Sequence, residues 1–141
     1  MIEIINRQRV RKINTKSCLE FTQRALHAIN RSPQSATIVF VSDAAIKKLN
    51  GQFRGKNYAT DVLSFPTNAE SFESENQSHL GEVVISVERA TAQAKENGLT
   101  FQSEVQQLIL HGLLHLSGYD HETDDGEMNR LELKLRKKLG I

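Results

Sequence analysis

The segment Leu80-Gly-Glu-Val-Val-Ile-Ser86 decides the class of fold, because it predicts a strand that leads directly into a helix. Its β-branched residues are typical of a buried strand. Ser86 is suited to cap the helix that follows, and Gly98 is suited to end it. A strand joined at once to a helix indicates a domain in which both kinds of element pack together.

The sequence on either side predicts the remaining elements from apolar periodicity and from capping and turn residues. Further strands are predicted over residues 2–10, at a sheet edge, and over 36–41 and 61–65. Further helices are predicted over residues 15–30, ended by Ser32-Pro33, and over 43–50, 100–118 and 124–139. The polar stretch 67–79 predicts a long exposed loop. We therefore expect an α+β fold, a single small domain over residues 1–141, with a mixed sheet of about four strands packed with about five helices.

The composition is that of an ordinary globular chain. Its 141 residues are 38% hydrophobic and 25% charged, which fits one domain that buries a core without disulfides. The net charge is +1, from 18 basic and 17 acidic residues. This balance excludes a uniformly basic nucleic-acid coat but leaves room for local basic patches.

The sequence predicts a soluble, cytoplasmic protein with no membrane contact. Cys18 is the single cysteine, so no internal disulfide can form. The N-terminus lacks the apolar core of a signal peptide. The longest apolar run, residues 108–116, contains two histidines and is too short to cross a bilayer.

The chemistry is concentrated in His111-Gly-Leu-Leu-His-Leu-Ser-Gly-Tyr-Asp-His121, which holds three of the five histidines. His111 and His115 are four residues apart and share one face of a helix. Gly118 can end that helix in a left-handed conformation, and the returning chain can bring His121 to the same point. Three imidazoles with a fourth position open are the arrangement of a catalytic zinc site.

A simpler interpretation is a pair of core histidines, each with one hydrogen bond. Burying two imidazoles among leucines without partners costs several kcal/mol, so we predict a metal site. Zinc is favoured by the imidazole set, and nickel, copper or iron would also accept it. The spacing HxxxHxxGxxH matches the metzincin proteases, but their general base is a Glu directly after the first histidine. Gly112 stands there instead, which argues against a peptidase.

The histidine segment resembles the signature of the YbeY family of bacterial ribosomal-RNA maturation endoribonucleases. Two further blocks agree with it, Leu49-Asn50 with Phe53-Arg54 leading into Thr60-Asp-Val-Leu-Ser-Phe-Pro66, and Leu80-Gly-Glu-Val-Val-Ile-Ser86. The sequence departs from the family at Ala59, where Pro is frequent, and at Glu82, where Asp is common. Neither position coincides with a predicted metal ligand.

The resemblance implies a small α+β fold with zinc bound by His111, His115 and His121. It implies metal-dependent cleavage of single-stranded RNA in the 3′-end maturation of small-subunit rRNA and in ribosome quality control. The implied partners are rRNA, the small ribosomal subunit, and ribosomal or GTPase assembly proteins. The sequence leaves two nucleophiles open, a zinc-activated water and the RNA 2′-hydroxyl.

Three further positions are candidates for a role at the site, Arg54, Asp120 and Asp124. Arg54 is the best phosphate clamp, since its planar fork matches phosphate oxygens, and the resemblance implies that it matters for activity. Asp120 is suited to orient His121 or to act as a base. Asp124 with Glu127 predicts a capping box at the start of the last helix.

Basic residues at the N-terminus are candidates for RNA contact, although such a run is more often a solvated face. They are Arg7, Arg9, Arg11 and Lys12. Two alternatives to the endoribonuclease remain at this point. One is a non-enzymatic ribosome-assembly factor with a structural zinc, and the other is a metzincin-like hydrolase of another substrate.

Overall fold

The structure, a computed structural model, describes residues 2–31, 34–67, 79–120 and 124–141. Its strands are β1 (Glu3–Asn6), β2 (Ser35–Val41), β3 (Val62–Pro66) and β4 (His79–Ser86). Its helices are α1 (Thr15–Ala28), α2 (Asp43–Arg54), α3 (Val87–Glu96), α4 (Phe101–Leu116) and α5 (Glu127–Leu139). Across these described ranges, the α+β domain with four strands and five helices is confirmed.

The four strands form one mixed sheet in the order β1-β2-β4-β3. β1 and β4 pair in parallel with β2, and β3 pairs antiparallel with β4. β1 lies at an edge, as expected. The order places β4, which leads into α3 through the Ser86 cap, in the interior of the sheet.

The two faces of the sheet carry two apolar clusters. The larger cluster joins Ile38, Val83 and Ile85 of the sheet to Phe21 of α1 and Leu113 of α4. The smaller cluster lies on the opposite face, where Val39, Val41 and Val84 of the sheet meet Ile46 of α2 and Leu63 of β3. Helix α4 is buried along most of its length and presses against the sheet, which fixes the position of its histidines.

Three predicted helix ends are wrong by a few residues, and one of them is that of α4, which ends at Leu116 rather than at Gly118. α2 continues through Asn50-Gly51 and ends at Arg54, because Gly55 takes the left-handed conformation (φ 66°) that stops it. α1 ends at Ala28 rather than at Asn30. Asn30 is left-handed (φ 60°), and the Arg31 N–H donates to the Leu26 carbonyl at 2.8 Å, so the helix closes before the predicted Ser32-Pro33 stop, which lies outside the described residues.

Two other local predictions need correction. The edge strand predicted over residues 2–10 is confined to β1, because the Gln8 side chain bonds Asn6 and the Arg11 backbone and turns the chain. The capping box predicted for α5 is also wrong, since the N-cap is Gly126. The Asp124 carboxylate nevertheless accepts from the Met128 N–H at 2.9 Å. It therefore stabilises the first turn of α5 from a position two residues before the N-cap.

Most of the predicted loop 67–79 lies outside the described residues, and His79 at its end begins β4. Within the described ranges, no helix is long and apolar enough to span a membrane.

Candidate metal centre

Helix α4 brings the first two predicted ligands together. The Thr100 hydroxyl caps the helix by accepting from the Ser103 N–H at 3.0 Å, and the buried leucines hold it against the sheet. His111 and His115 lie on its partly open face, with Nε2 atoms 3.2 Å apart. Their ring centroids are 4.8 Å apart and the planes are 74° to each other.

This geometry fits a shared metal ion. Zinc binds imidazole nitrogen at about 2.0–2.1 Å with tetrahedral angles, which places two ligand nitrogens about 3.3 Å apart. The 3.2 Å between the two Nε2 atoms agrees with that separation. His111 and His115 therefore fit as two ligands of one ion without movement of the helix.

Glu132 of α5 fixes the orientation of His111. Its Oε1 lies 2.6 Å from His111 Nδ1, and its Oε2 accepts from Arg136 Nη2 at 2.6 Å. Because a carboxylate only accepts, Nδ1 carries the proton and the Nε2 lone pair is left for a metal. Burial raises the pKa of Glu132, but the hydrogen bond from His111 and the charge and hydrogen bond of Arg136 outweigh it, so this pKa is lowered and the ionised form is favoured.

Glu132 is not among the predicted site residues, although the sequence carries a signal for it. Met128, Glu132, Leu135 and Leu139 are the buried residues of α5, and they follow the spacing of one helical face. A carboxylate in an otherwise apolar stripe requires a buried partner. That partner is His111, 21 residues earlier in the chain.

Gly112 is required by the packing of α4. A Cβ at this position would lie 2.6 Å and 2.8 Å from the two methyl carbons of Val83 and 3.3 Å from Ser64 Oγ. A side chain there would therefore point into the sheet. A glutamate could not occupy this position as the base of a peptidase without displacing β4.

The turn after α4 is the one predicted from Gly118. Gly118 has a φ of 101°, and the Tyr119 N–H donates to the Leu114 carbonyl at 3.1 Å. The third predicted ligand, His121, lies outside the described residues. Within the described ranges, no group of three or more His, Cys, Asp or Glu side chains is arranged to hold a metal, so two of the three predicted ligands are placed.

A cavity of about 430 Å³ opens over the two histidines, and we call it the metal cavity. Arg54 and Asp120, both predicted site residues, line it together with Tyr119. Asp61, which the sequence analysis did not single out, also lines it, and its Oδ1 accepts from the Val62 N–H at 2.8 Å.

Arg54 reaches the metal cavity because the end of α2 is held in place. Asn50 is buried, with 1% of its surface exposed, and its Nδ2 donates to the Tyr58 carbonyl at 3.0 Å. The Asn50 carbonyl accepts from the Lys56 N–H at 3.2 Å. These two bonds anchor the loop after Gly55 and so fix the direction in which Arg54 leaves the helix.

The N-terminal basic residues do not form one surface. Arg7 lines a cavity on the face of the sheet that α2 covers. Arg11 and Lys12 line a different cavity, beside Cys18, and the Arg11 guanidinium stacks 4.1 Å from the Phe101 ring centroid. Arg9 is exposed and lines neither. RNA contact by these residues stays a prediction.

Comparison with known proteins finds relatives of one family. Residues 3–140 match the profile of the family described as endoribonuclease YbeY. The chain is 48% identical over 103 residues to the endoribonuclease YbeY of Solibacter usitatus, covering 73% of this chain and 65% of that protein. It is 35% identical over 141 residues to that of Geobacter metallireducens, covering 99% and 94% of the two chains.

A solved structure is similar over nearly the whole chain. The solution structure of TM1509 from Thermotoga maritima superposes with a TM-score of 0.65 at 29% identity, covering 99% of this chain and 89% of that one.

The chain is therefore a member of a family of hydrolytic nucleases. It belongs to the endoribonuclease YbeY family, as the sequence blocks indicated. The family is metal-dependent in general, which is consistent with the histidine pair. The name of the family states that its members cleave RNA.

Proposed function

We propose that this chain is a single-strand-specific, metal-dependent endoribonuclease that acts in the 3′-end maturation of small-subunit rRNA and in ribosome quality control. The convergence of the His111 and His115 Nε2 atoms at 3.2 Å carries the proposal. Family membership supports cleavage of RNA. Ribosomal RNA as substrate implies a cytoplasmic location, with the small subunit and its ribosomal or GTPase assembly proteins as partners.

The proposed metal is one zinc ion held by His111, His115 and His121. Bound there, zinc supplies Lewis-acid chemistry and the activation of water at neutral pH. Glu132 orients His111 by accepting a hydrogen bond from its Nδ1–H. Because all three ligands are neutral imidazoles, the ion keeps its full positive charge for the phosphate.

The chain's own residues then position the RNA. The Arg54 guanidinium, at the rim of the metal cavity, is proposed to bind two phosphate oxygens of the scissile linkage. An Asp120 carboxylate oxygen in the same cavity is the proposed acceptor of the nucleophile's proton. If water attacks, a 5′-phosphate or 3′-phosphate remains, whereas attack by the 2′-hydroxyl leaves a 2′,3′-cyclic phosphate, so the product ends identify the nucleophile.

The two alternatives are less well supported. A structural zinc is closed by four protein ligands, but Cys18, the only thiol of the chain, lines a different cavity. A metzincin-like peptidase needs a Glu at position 112, where Gly112 packs against Val83. Both observations favour an open metal site without a peptidase base.

The test is cleavage of a labelled single-stranded RNA that carries the 3′ region of small-subunit rRNA. Metal-loaded wild type is compared with His111→Ala and with His27→Ala, whose histidine is exposed on α1. All three are matched for folding by circular dichroism, and their zinc content is measured. We expect cleavage by wild type and His27→Ala and none by His111→Ala.

Equal cleavage by all three proteins would place the activity elsewhere or in a contaminant. Tight zinc binding without cleavage by any of them would favour the assembly factor. A duplex of the same sequence serves as the second substrate, and equal cleavage of both would disprove single-strand specificity.

A further inference from the structure

A second cavity lies beside the metal cavity, on the face of the sheet that packs against α2. Its volume is about 440 Å³, and we call it the sheet groove. Its lining is largely apolar and comes from four elements, with Val39, Val41 and Val84 in the sheet, Leu49 and Phe53 in α2, and Phe65 in β3. The groove is therefore a preformed apolar surface rather than a gap between loops.

The sheet groove and the metal cavity adjoin. Pro66 lines both of them. Phe53, in the groove, and Arg54, in the metal cavity, are consecutive residues at the end of α2. If a phosphate of an RNA strand lies at Arg54, the neighbouring nucleotide therefore lies at the mouth of the groove.

Phe53 gives the groove the character of a stacking site. Its side chain is 65% exposed, although its ring makes a T-shaped contact with Phe65 at a centroid distance of 5.3 Å. The contact restrains the ring while most of its surface stays in water. Restrained, exposed aromatic rings beside basic groups are the surfaces on which single-stranded nucleic acids stack their bases.

The charges at the groove suit a nucleic-acid strand. Arg7 lines the groove, and Arg54 stands at the junction with the metal cavity. Glu82 also lines the groove, and its carboxylate repels a phosphate that lies next to it. The favourable arrangement therefore has phosphates at the two arginines and a base between them on Phe53.

We propose that the sheet groove is a nucleotide subsite in which the base next to the cleaved linkage stacks on Phe53 while a flanking phosphate contacts Arg7. The inference rests on the proposed function and deepens it. Stacking does not read base edges, so the subsite is tolerant of sequence. A base held in a duplex cannot leave its own stack to reach Phe53 without a cost in free energy, so the groove selects single strands.

Cleavage kinetics of metal-loaded full-length variants test the subsite. The substrates are a labelled single-stranded RNA and the same RNA with one abasic nucleotide at successive positions beside the cleaved linkage. We expect Phe53→Ala to lower kcat/KM by about 5-fold to 150-fold, mostly through KM, since base–aromatic stacking has this magnitude. Phe53→Trp should retain wild-type values. Leu133→Ala removes a side chain of α5 that is 54% exposed and lines neither cavity, so it is the matched control.

The abasic substrates make the test specific to stacking. At the stacked position, loss of the base should lower the kcat/KM of wild type by a similar factor. It should leave the kcat/KM of Phe53→Ala unchanged. Phe53→Leu, which keeps an apolar side chain against Phe65 but removes the ring, replaces the alanine variant if that variant does not fold.

The subsite is disproved if Phe53→Ala cleaves as efficiently as wild type, or if every abasic position affects both proteins equally. The proposed function then still stands. If wild type shows no His111-dependent cleavage, the proposed function fails instead. Quenching of a 2-aminopurine-labelled RNA by wild type but not by Phe53→Ala would support the groove even then, and equal quenching would overturn it.

Discussion

A single carboxylate on α5 orients the first candidate ligand, and its removal gives the most direct test of the metal centre. Glu132→Gln keeps the shape of the side chain but removes the charge that faces His111 and Arg136. Loss of such a partner typically lowers metal affinity about 10-fold to 100-fold. We expect that loss with the fold intact, measured by competition with a chromophoric chelator. Glu96→Gln, exposed at the end of α3, is the control.

Unchanged affinity in Glu132→Gln would show that His111 is oriented by the packing of α4 alone. Arg136→Met provides a finer comparison, because it leaves the Glu132–His111 bond in place. Its affinity should lie closer to that of wild type.

Arg54 should affect RNA and not the metal. Arg54→Ala removes the proposed phosphate contact while both histidines stay in place, so cleavage should fall much more than zinc content. A charge-assisted bond contributes about 1.5–3 kcal/mol, which corresponds to a loss of about 10-fold to 150-fold in kcat/KM. Arg54→Lys, which keeps the charge without the fork, should be intermediate.

The control for this prediction is Arg130→Ala, an exposed arginine of α5. Equal losses of cleavage and of bound zinc in Arg54→Ala would show that Arg54 supports the fold instead.

Cys18 makes the stability of the protein sensitive to alkaline pH. Burial raises the pKa of its thiol from 9.0 to about 11, so the folded chain holds this proton more tightly than the unfolded chain. The stabilisation is complete below pH 9 and is lost as the pH rises towards 11. Urea unfolding across that window should show wild type losing free energy of unfolding relative to Cys18→Ala, which has no thiol. Parallel curves would contradict the raised pKa.

The sequence predicts some residues of the site better than others, for a physical reason. His111 and His115 are neighbours through helical geometry alone, so their spacing was sufficient. Glu132 reaches His111 only through the packing of α5 against α4, which no local pattern specifies. Arg54 was found through the family resemblance, and its exposed side chain carries no packing signal of its own.

At the scale of elements, the contact between α4 and the sheet holds the histidine pair in place, and Gly112 is its tightest point. In Gly112→Ala the new methyl meets both methyl groups of Val83. Overpacking of this kind destabilises a protein by about 1–3 kcal/mol. Replacing a helical glycine by alanine stabilises the helix by about 1 kcal/mol. We expect a net loss of up to about 2 kcal/mol in the free energy of unfolding, measured with urea.

Two comparisons isolate the cause of that loss. In a Val83→Ala background the methyl groups are gone, so the same substitution should be neutral or stabilising. Gly51→Ala, in α2, is the matched control, since a Cβ there meets only the Lys56 carbonyl oxygen at 3.7 Å, and it should stabilise by about 1 kcal/mol. A loss in all three proteins would attribute the effect to something other than the Val83 contact.

The elements themselves were largely predictable, and the errors lie where side chains override local signals. Asn50-Gly51 is a typical helix stop, yet α2 continues because the buried Asn50 bonds the Tyr58 carbonyl and Gly55 ends the helix. His79 is the last residue of the predicted exposed loop, but its Nδ1 lies 2.7 Å from Ser35 Oγ, a contact created by the pairing of β2 with β4. Such pairings join distant parts of the chain, so the strand order could not be predicted from the sequence.

At the scale of the whole molecule, the described apolar core contains none of the predicted metal ligands. The larger apolar cluster unites β2, β4, α1, α3, α4 and α5, and the metal cavity lies at its margin. A chain of 141 residues buries enough surface to fold unaided. We therefore expect the protein to remain folded and to unfold cooperatively after chelation, with a Tm that rises when zinc is restored.

The response of the fold to chelation separates a catalytic from a structural metal. Zinc at 100 times its Kd adds about 2.7 kcal/mol to the free energy of unfolding, which for a chain of this length raises Tm by about 9 °C. Calorimetry of chelated and zinc-loaded wild type measures the shift, and His111→Ala should show little of it. If chelation unfolds the chain, as it unfolds domains built around structural zinc, the metal organises the fold and the assembly-factor hypothesis gains support. A folded, metal-free chain that regains both Tm and RNA cleavage with zinc places the ion in an open site, as an endoribonuclease requires.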